Sequence, residues 1–421
     1  MRLRASLDFH DGQPQVDVGT LAWNDAERRA YVEWSDEVRE SSLKLSPFLV
    51  TDWSRLHTTN DPRAFHGLPA VFGDSVPDGW GRLLMDRELL VREDHLPRPM
   101  AHLAMVGRHG MGALCYEPAD ETARRVSDLS LDYFARTSDD LEQVDHDVLA
   151  GLRAVSGGSQ GARPKFVALL DEKTGRYRDH RSEWQSGLRH VLVKRAARDD
   201  LPSAVPIEAA YAQAARAACI SMENTETVQS DKGERFFQTD RFDRSGARRL
   251  HMQSAAALTD QNFRAGSLTY ESLFQISRSL HGDDRDAEQL LRRLTFNIAA
   301  VNQDDHAKNH AYLMTRNGSW TLSPAFDITH VRSPSGYHAM GLSADDMDMR
   351  PQAIVNLAGR YGIEESRTRE IVREVSDVVD ALPEFLKEQG VPPKTRKAIG
   401  TATRAAMKQL PLGRYGRDRA R

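Results

Sequence analysis

One stretch constrains the fold more than any other: an apolar helical face runs into a polar loop, and the loop runs into a hairpin. Leu290, Leu294, Ile298 and Val301 recur at helical spacing, so a helix with one buried stripe ends just before residue 302. Asn302-Gln303-Asp304-Asp305-His306-Ala307-Lys308-Asn309 follows and carries no apolar period. His310–Met314 and Ser319–Ser323 then read as short strands flanking Asn317-Gly318, the dipeptide that favours a type I′ turn. With that turn at the centre, Asn309 faces position 326, one residue from Asp327. Helix, loop and hairpin in unbroken succession call for an α+β fold.

Neighbouring strands lie about 4.8 Å apart, so the Asn309 amide oxygen and the Asp327 carboxylate reach one cation at the base of the hairpin. So few oxygen ligands suit Mg²⁺, which completes its shell with water and phosphate. Asp304, five residues before Asn309, can then accept a proton from an attacking hydroxyl. An Asp, an Asn at the fifth position after it, a hairpin and a metal Asp, in that order, form the catalytic layout of protein kinases. The plainer alternative for the same loop is capping and turn chemistry.

Upstream, Lys194 ends the alternating strand His190–Val193, where an ammonium can pair nucleotide phosphates, and Glu208 on the following alanine-rich helix Pro206–Ala218 offers it a carboxylate. Its plainer alternative is an edge-strand lysine in solvent. Ser156-Gly157-Gly158-Ser159-Gln160-Gly161 through Lys165 can wrap phosphates with backbone N–H groups, although it matches neither the Walker A pattern nor G-x-G-x-x-G. His306 and His310 are spaced as zinc ligands on a helix would be, but the Glu of H-E-x-x-H is missing.

The rest of the chain sets bounds. Leu3, Ala5, Leu7 and Phe9 alternate with polar residues, and Val16–Trp23 and Ala30–Ser35 continue this β pattern. Asp78, in Pro77-Asp78-Gly79-Trp80, is placed to cap a helix running to Val91, and Ala113–Tyr116 and Phe166–Leu170 read as strands. A softer boundary falls in Ser127–Asp147, and the arginine-rich end Gly413–Arg421 is expected to fray. The 57 basic and 61 acidic residues of the 421 leave a net charge of −4, without the basic excess of a free-standing nucleic-acid binder. No apolar run reaches membrane-spanning length, and only Cys115 and Cys219 are present, so a cytoplasmic, reducing location is expected, with no membrane contact.

Three segments together carry a family resemblance. Asp240-Arg241-Phe242-Asp243-Arg244, Asp304 through Asn309, and Ser323-Pro324-Ala325-Phe326-Asp327-Ile328 resemble the HipA family of bacterial serine/threonine kinases, many of them toxins of toxin–antitoxin systems. The likeness extends to Gly161-Ala162-Arg163-Pro164-Lys165, to Phe72 with Pro77 through Arg82, and to Val106-Gly107 with Met111 through Leu114. The resemblance implies that Asp304 is the catalytic base, that Asn309 and Asp327 hold Mg²⁺, and that Lys194 touches the ATP phosphates, with Gly161 and Lys165 in the loop that grips them. It also implies that the backbone near Asp240 and Phe242 meets the adenine, and that Asp243 and His306 reach the ribose. Family members phosphorylate a serine three residues before the glycine matched by Gly161; that position is Gly158 here, so Ser159 and Ser156 are the autophosphorylation candidates. A protein substrate such as an aminoacyl-tRNA synthetase and a HipB-like helix-turn-helix antitoxin are implied as partners, with DNA reached only through the latter.

The expected architecture is a two-lobed, protein-kinase-like α+β fold: residues 1–127 a β-rich N-terminal subdomain, 128–239 a small lobe with the phosphate-gripping loop, and 240–421 a mainly helical C-terminal lobe. The expected activity is ATP- and Mg²⁺-dependent serine/threonine phosphorylation. An ATP-binding scaffold without transfer, or a small-molecule kinase on the same fold, are the alternatives.

Overall fold

The computed structural model describes residues 1–92, 98–120, 122, 125–127, 129–139, 141, 144–262, 268–344 and 349–410. The arginine-rich end Gly413–Arg421 lies outside them. The chain divides into two compact units, Met1–Leu201 with Glu226–Asn262 and Tyr312–Ser319, and Pro202–Thr225 with Phe263–Ala311 and Trp320–Arg421.

The first unit is built on two sheets. Strand β1 (Arg2–Leu7) lies between β2 (Val16–Asn24) and β4 (Leu114–Glu117), with β3 (Arg29–Trp34) outside β2, all antiparallel. The period of two explains the layer: Leu3, Ala5 and Leu7 are buried while Arg2 and Arg4 are exposed. The second sheet runs β6-β5-β7-β9-β8, with β5 Lys165–Asp171, β6 Tyr177–Asp179, β7 Leu188–Lys194, β8 Thr225–Gln229 and β9 Arg235–Asp240. β5 is buried on both faces, and Phe166 packs on Phe134 of helix Leu131–Asp139 at 4.7 Å between ring centroids. Lys194 is therefore not an edge residue. It sits on a central strand and is 7% exposed.

Helix Gly79–Val91 begins where expected, with Asp78 at the N-cap, but the Asp78 side chain makes no cap hydrogen bond. Its carboxylate is used elsewhere, as described below.

The second unit is mainly helical. Helix Ala287–Ala300 is buried along nearly its whole length, and Glu365–Asp380 presents Ile371, Val372, Val375 and Val379 as an apolar stripe. Helix Tyr270–His281 starts in a capping box of Thr269 and Ser272 and ends at Gly282 in the left-handed conformation. Helix Ala287–Ala300 ends differently. Val301 takes the left-handed position at φ 58°, and Asn302 N donates to Asn297 O at 2.9 Å. A β-branched residue there is strained by about 1–3 kcal/mol, and the strain lies at the mouth of the Asp304 loop.

The hairpin corrects the expected register. Gly318 N donates to Thr315 O at 2.9 Å and Thr315 N to Ser319 O at 3.0 Å, with only Gly318 at positive φ, so the turn is a three-residue loop, not a two-residue type I′ turn. Ser323 N donates to Ala311 O at 2.9 Å, in the same register. Counted on in that register, position 309 falls opposite 325, two residues from Asp327 rather than one, and Asn309 itself lies in a 3₁₀ turn before the strand.

Candidate functional site

In the first unit the glycine-rich loop is fastened from outside itself. Asp78 Oδ1 accepts the Gly161 amide at 2.5 Å, Trp80 N donates to Gly161 O at 3.1 Å, and Gln160 Nε2 donates to Asp74 O and Val76 O at 2.9 and 3.0 Å. Gly79 is at φ 47°, and a Cβ there would lie 2.5 Å from Ala162 Cα, so only glycine permits this approach. Lys165 Nζ donates to Gln160 O across the loop. Ser156 Oγ donates to Arg153 O at 2.7 Å and Ser159 Oγ to Ser156 O at 2.6 Å, and both side chains are buried. In this loop conformation neither hydroxyl faces solvent.

Lys165 and Lys194 are directly opposed in the β5–β7 register, and both are buried. Directly opposed residues share a face, so two ammonium groups stand together at this end of the sheet. Lys194 Nζ also lies 5.8 Å from the Phe237 ring centre. Asp240 pairs with Val191, three positions along β7 from Lys194, or about 10 Å at the rise of a strand. Its carboxylate accepts Arg189 Nη1 at 2.7 Å, and Phe242 is half-buried just beyond.

Asp243 departs from the role that the resemblance implies. It is wholly buried and accepts Gly112 N at 2.7 Å, Arg241 Nη2 at 2.8 Å and Arg244 Nη1 at 2.7 Å. Burial alone would raise its pKa, but Arg241 and Arg244 outweigh burial and hold the carboxyl well below the usual range. In this structure the carboxylate ties Gly112 to two arginines; it does not face an open ribose subsite.

In the second unit, Asp304 is 59% exposed and its Oδ1 lies 3.9 Å from His306 Nε2. A single 3₁₀ turn, Ala307–Asn309, follows, and Asn309 Nδ2 donates to Asp304 O at 2.8 Å. This turns the Asn309 amide oxygen, the atom a cation needs, away from that bond. Asp327 is half-buried at φ 53°, after Ala325 N has bonded Ser221 O at 2.7 Å. An amide oxygen and a carboxylate are donor types that suit a Mg²⁺ drawing its remaining ligands from water and phosphate. No group of three or more His, Cys, Asp or Glu among the described residues is arranged to hold a metal. His306 and His310 flank the 3₁₀ turn in extended conformation, so they do not share a helical face. His310 is buried, with its ring edge-on to Tyr270 at 5.9 Å.

Sequence reasoning missed Asp305. Its carboxylate accepts Tyr270 Oη at 2.7 Å, His338 Nδ1 at 2.9 Å and Ala339 N at 3.0 Å, and it is 1% exposed. The Asp-Asp doublet marks the place, but nothing local says which of the two points inward.

Comparison with known proteins bears on this arrangement. Residues 13–117 match the model of the HipA N-terminal domain, and residues 157–382, more than half of the chain, match that of the HipA-like C-terminal domain. The chain belongs to the HipA family. Among solved structures, HipA of the Shewanella oneidensis MR-1 toxin–antitoxin system, determined with HipB and its operator DNA, aligns with this HipA-family chain at TM-score 0.67 and 14% identity. That alignment covers 99% of this chain and 100% of the other. It shows the α+β fold. The Helicobacter pylori proinflammatory kinase CtkA aligns at TM-score 0.31 and 10% identity, over 53% of this chain and 93% of its own, too weakly to bear on the argument. No curated protein matches. Among the described residues no helix is long and apolar enough to cross a membrane.

Proposed function

We propose that this HipA-family chain is an ATP- and Mg²⁺-dependent serine/threonine protein kinase that acts as a toxin on a cytosolic protein such as an aminoacyl-tRNA synthetase. The observation that carries the reading is the Asp304 loop: an exposed carboxylate, with Asn309 fastened to its backbone five residues on. Asp304 accepts the proton of the acceptor hydroxyl as its oxygen bonds the γ-phosphorus, and the bond from that phosphorus to the β–γ bridging oxygen breaks to leave ADP. Lys194 and Lys165 offset phosphate charge at the end of the sheet, and the loop through Gly161 supplies backbone N–H groups. Asp240 and Phe242 flank the adenine, and His306 lies beside Asp304 toward the ribose. Mg²⁺ on Asn309 and Asp327, when bound, neutralises charge on the terminal phosphates.

The division into residues 1–127, 128–239 and 240–421 belongs to the same proposal, as does a HipB-like antitoxin that brings DNA to the complex. The Shewanella oneidensis protein was solved with HipB and operator DNA, which supports that partner. The test is incubation of the full chain with radiolabelled ATP and cell lysate, with the Asp304→Asn chain in parallel. A labelled protein band that depends on Asp304 supports the proposal. Its absence, with ATP bound normally, favours a binding scaffold.

A further inference from the structure

Asp304 and Asp305 are adjacent and have opposite surroundings. One faces solvent; the other accepts three hydrogen bonds in the interior of the second unit. The donors come from two places. Tyr270 opens helix Tyr270–His281, and its hydroxyl accepts Asn297 Nδ2 at 2.8 Å, while Asn302 Nδ2 donates to Asn297 Oδ1 at 3.0 Å. Burial and the nearby Asp305 charge push the Tyr270 phenol well above its ordinary pKa, so it stays a donor.

His338 and Ala339 belong to a segment bound to the loop along its length. Gln303 N donates to Val331 O at 2.9 Å and Val331 N to Val301 O at 3.2 Å. The Gln303 side chain takes Ser333 N at 2.8 Å and gives to Gly336 O at 3.0 Å. Tyr270 N closes the segment, donating to Gly341 O at 2.9 Å. The loop is thus held from the helix side and from the 331–341 side, and Asp305 is the residue that both sides share.

We propose that Asp305 is a positioning residue for phosphoryl transfer: its buried carboxylate clamps the loop between Tyr270 and His338–Ala339, and so holds Asp304 in one place at the solvent face. The proposal rests on the reading of Asp304 as the base. Asp305 is 1% exposed and its neighbour Asp304 59% exposed, so tethering residue 305 inward holds residue 304 toward solvent. A loose tether misplaces the base and loosens His306 and Asn309 with it, while Lys165, Lys194 and the Gly161 loop keep their hold on the phosphates, so kcat falls by a larger factor than KM rises.

The full chain is compared with Tyr270→Phe, Asp305→Asn, Asp305→Ala and Asp304→Ala by hydrogen–deuterium exchange, and by kcat and KM for MgATP in autophosphorylation and ATP turnover. Tyr270→Phe deletes one hydroxyl and keeps the ring, so it remains informative if the Asp305 variants fold poorly. Tyr270→Phe and Asp305→Asn should lower kcat about tenfold or more while raising KM for ATP by a clearly smaller factor, and Asp305→Ala should lower kcat further. Amides in 301–309 and 331–341 should exchange faster in these variants, whereas Asp304→Ala abolishes turnover and leaves exchange as in the parent. Unchanged exchange in both Asp305 variants, or a loss confined to KM, overturns the proposal. A parent chain without turnover refutes the kinase reading and the catalytic part of this one, and the exchange data still decide the clamp.

Discussion

Asp78 at the start of one helix holds Gly161 of the glycine-rich loop, carboxylate to backbone amide, at 2.5 Å. Two segments 83 residues apart are thereby joined at the loop proposed to grip ATP phosphates. Removing a charged acceptor from a backbone amide costs about 1.5–3 kcal/mol. Asp78→Ala should weaken MgATP binding and speed proteolytic nicking within residues 157–161. Calorimetry and limited proteolysis that match the parent would show that the loop holds itself.

Asp243→Asn leaves two buried guanidinium groups facing a neutral amide, which breaks a buried charge cluster at a cost of about 3–5 kcal/mol. The variant should melt well below the parent. If instead it melts normally and loses ATP affinity, Asp243 reaches the ribose after all.

Acid should destabilise the protein early. Burial, reinforced by Arg249, lowers His109 to about 4, and burial with Arg241 and Arg244 lowers His190 to about 4. Burial with Arg293 lowers His310 to about 3. Each folded pKa lies below the unfolded value near 6.5, so the unfolded chain binds more protons between the two. Their contribution is complete above about pH 6.5 and is lost as pH falls toward 4 and then 3. Urea midpoints should fall steadily over that window; a flat profile would mean that these rings are already charged in the folded protein.

Much of this was legible in the sequence, for a definite reason. Alternation at Leu3, Ala5 and Leu7, and helical spacing at Leu290, Leu294 and Ile298, report periods that burial imposes locally. The order of Asp304, Asn309 and Asp327 is likewise local. Asp78 was legible as a helix start but not as the holder of Gly161, because its partner is remote in sequence. The hairpin slipped by one position because Asn-Gly also suits a three-residue loop with glycine last. Asp243 looks like a site carboxylate in sequence and Asp305 passes unnoticed beside Asp304; only the arginines around one and the Tyr270–His338 pair around the other show where each points.

Loop phosphorylation has a defined starting point, since Ser159 and Ser156 both spend their hydroxyls on backbone carbonyls inside the protein. A phosphoryl group of about −1.5 to −2 charge cannot be accommodated there, so modification should accompany departure of the loop. Mass spectrometry after MgATP incubation should find phosphate on Ser159 in preference to Ser156, and Ser159→Ala should remove most of it. An active sample with phosphate on neither serine shows that this chain lacks the switch.

Asp327→Ala removes one of two proposed Mg²⁺ ligands and should lower nucleotide affinity in Mg²⁺ while leaving metal-free ATP binding unchanged. Equal MgATP affinity in variant and parent would contradict the Asn309–Asp327 assignment.

The most direct measurement is phosphate transfer from MgATP by the Asp304→Asn chain, with nucleotide binding measured on the same sample. Loss of the base should lower transfer by about a hundredfold or more, the scale of general-base catalysis, with MgATP affinity unchanged. Transfer close to that of the parent would contradict the assignment of this loop as a kinase catalytic centre.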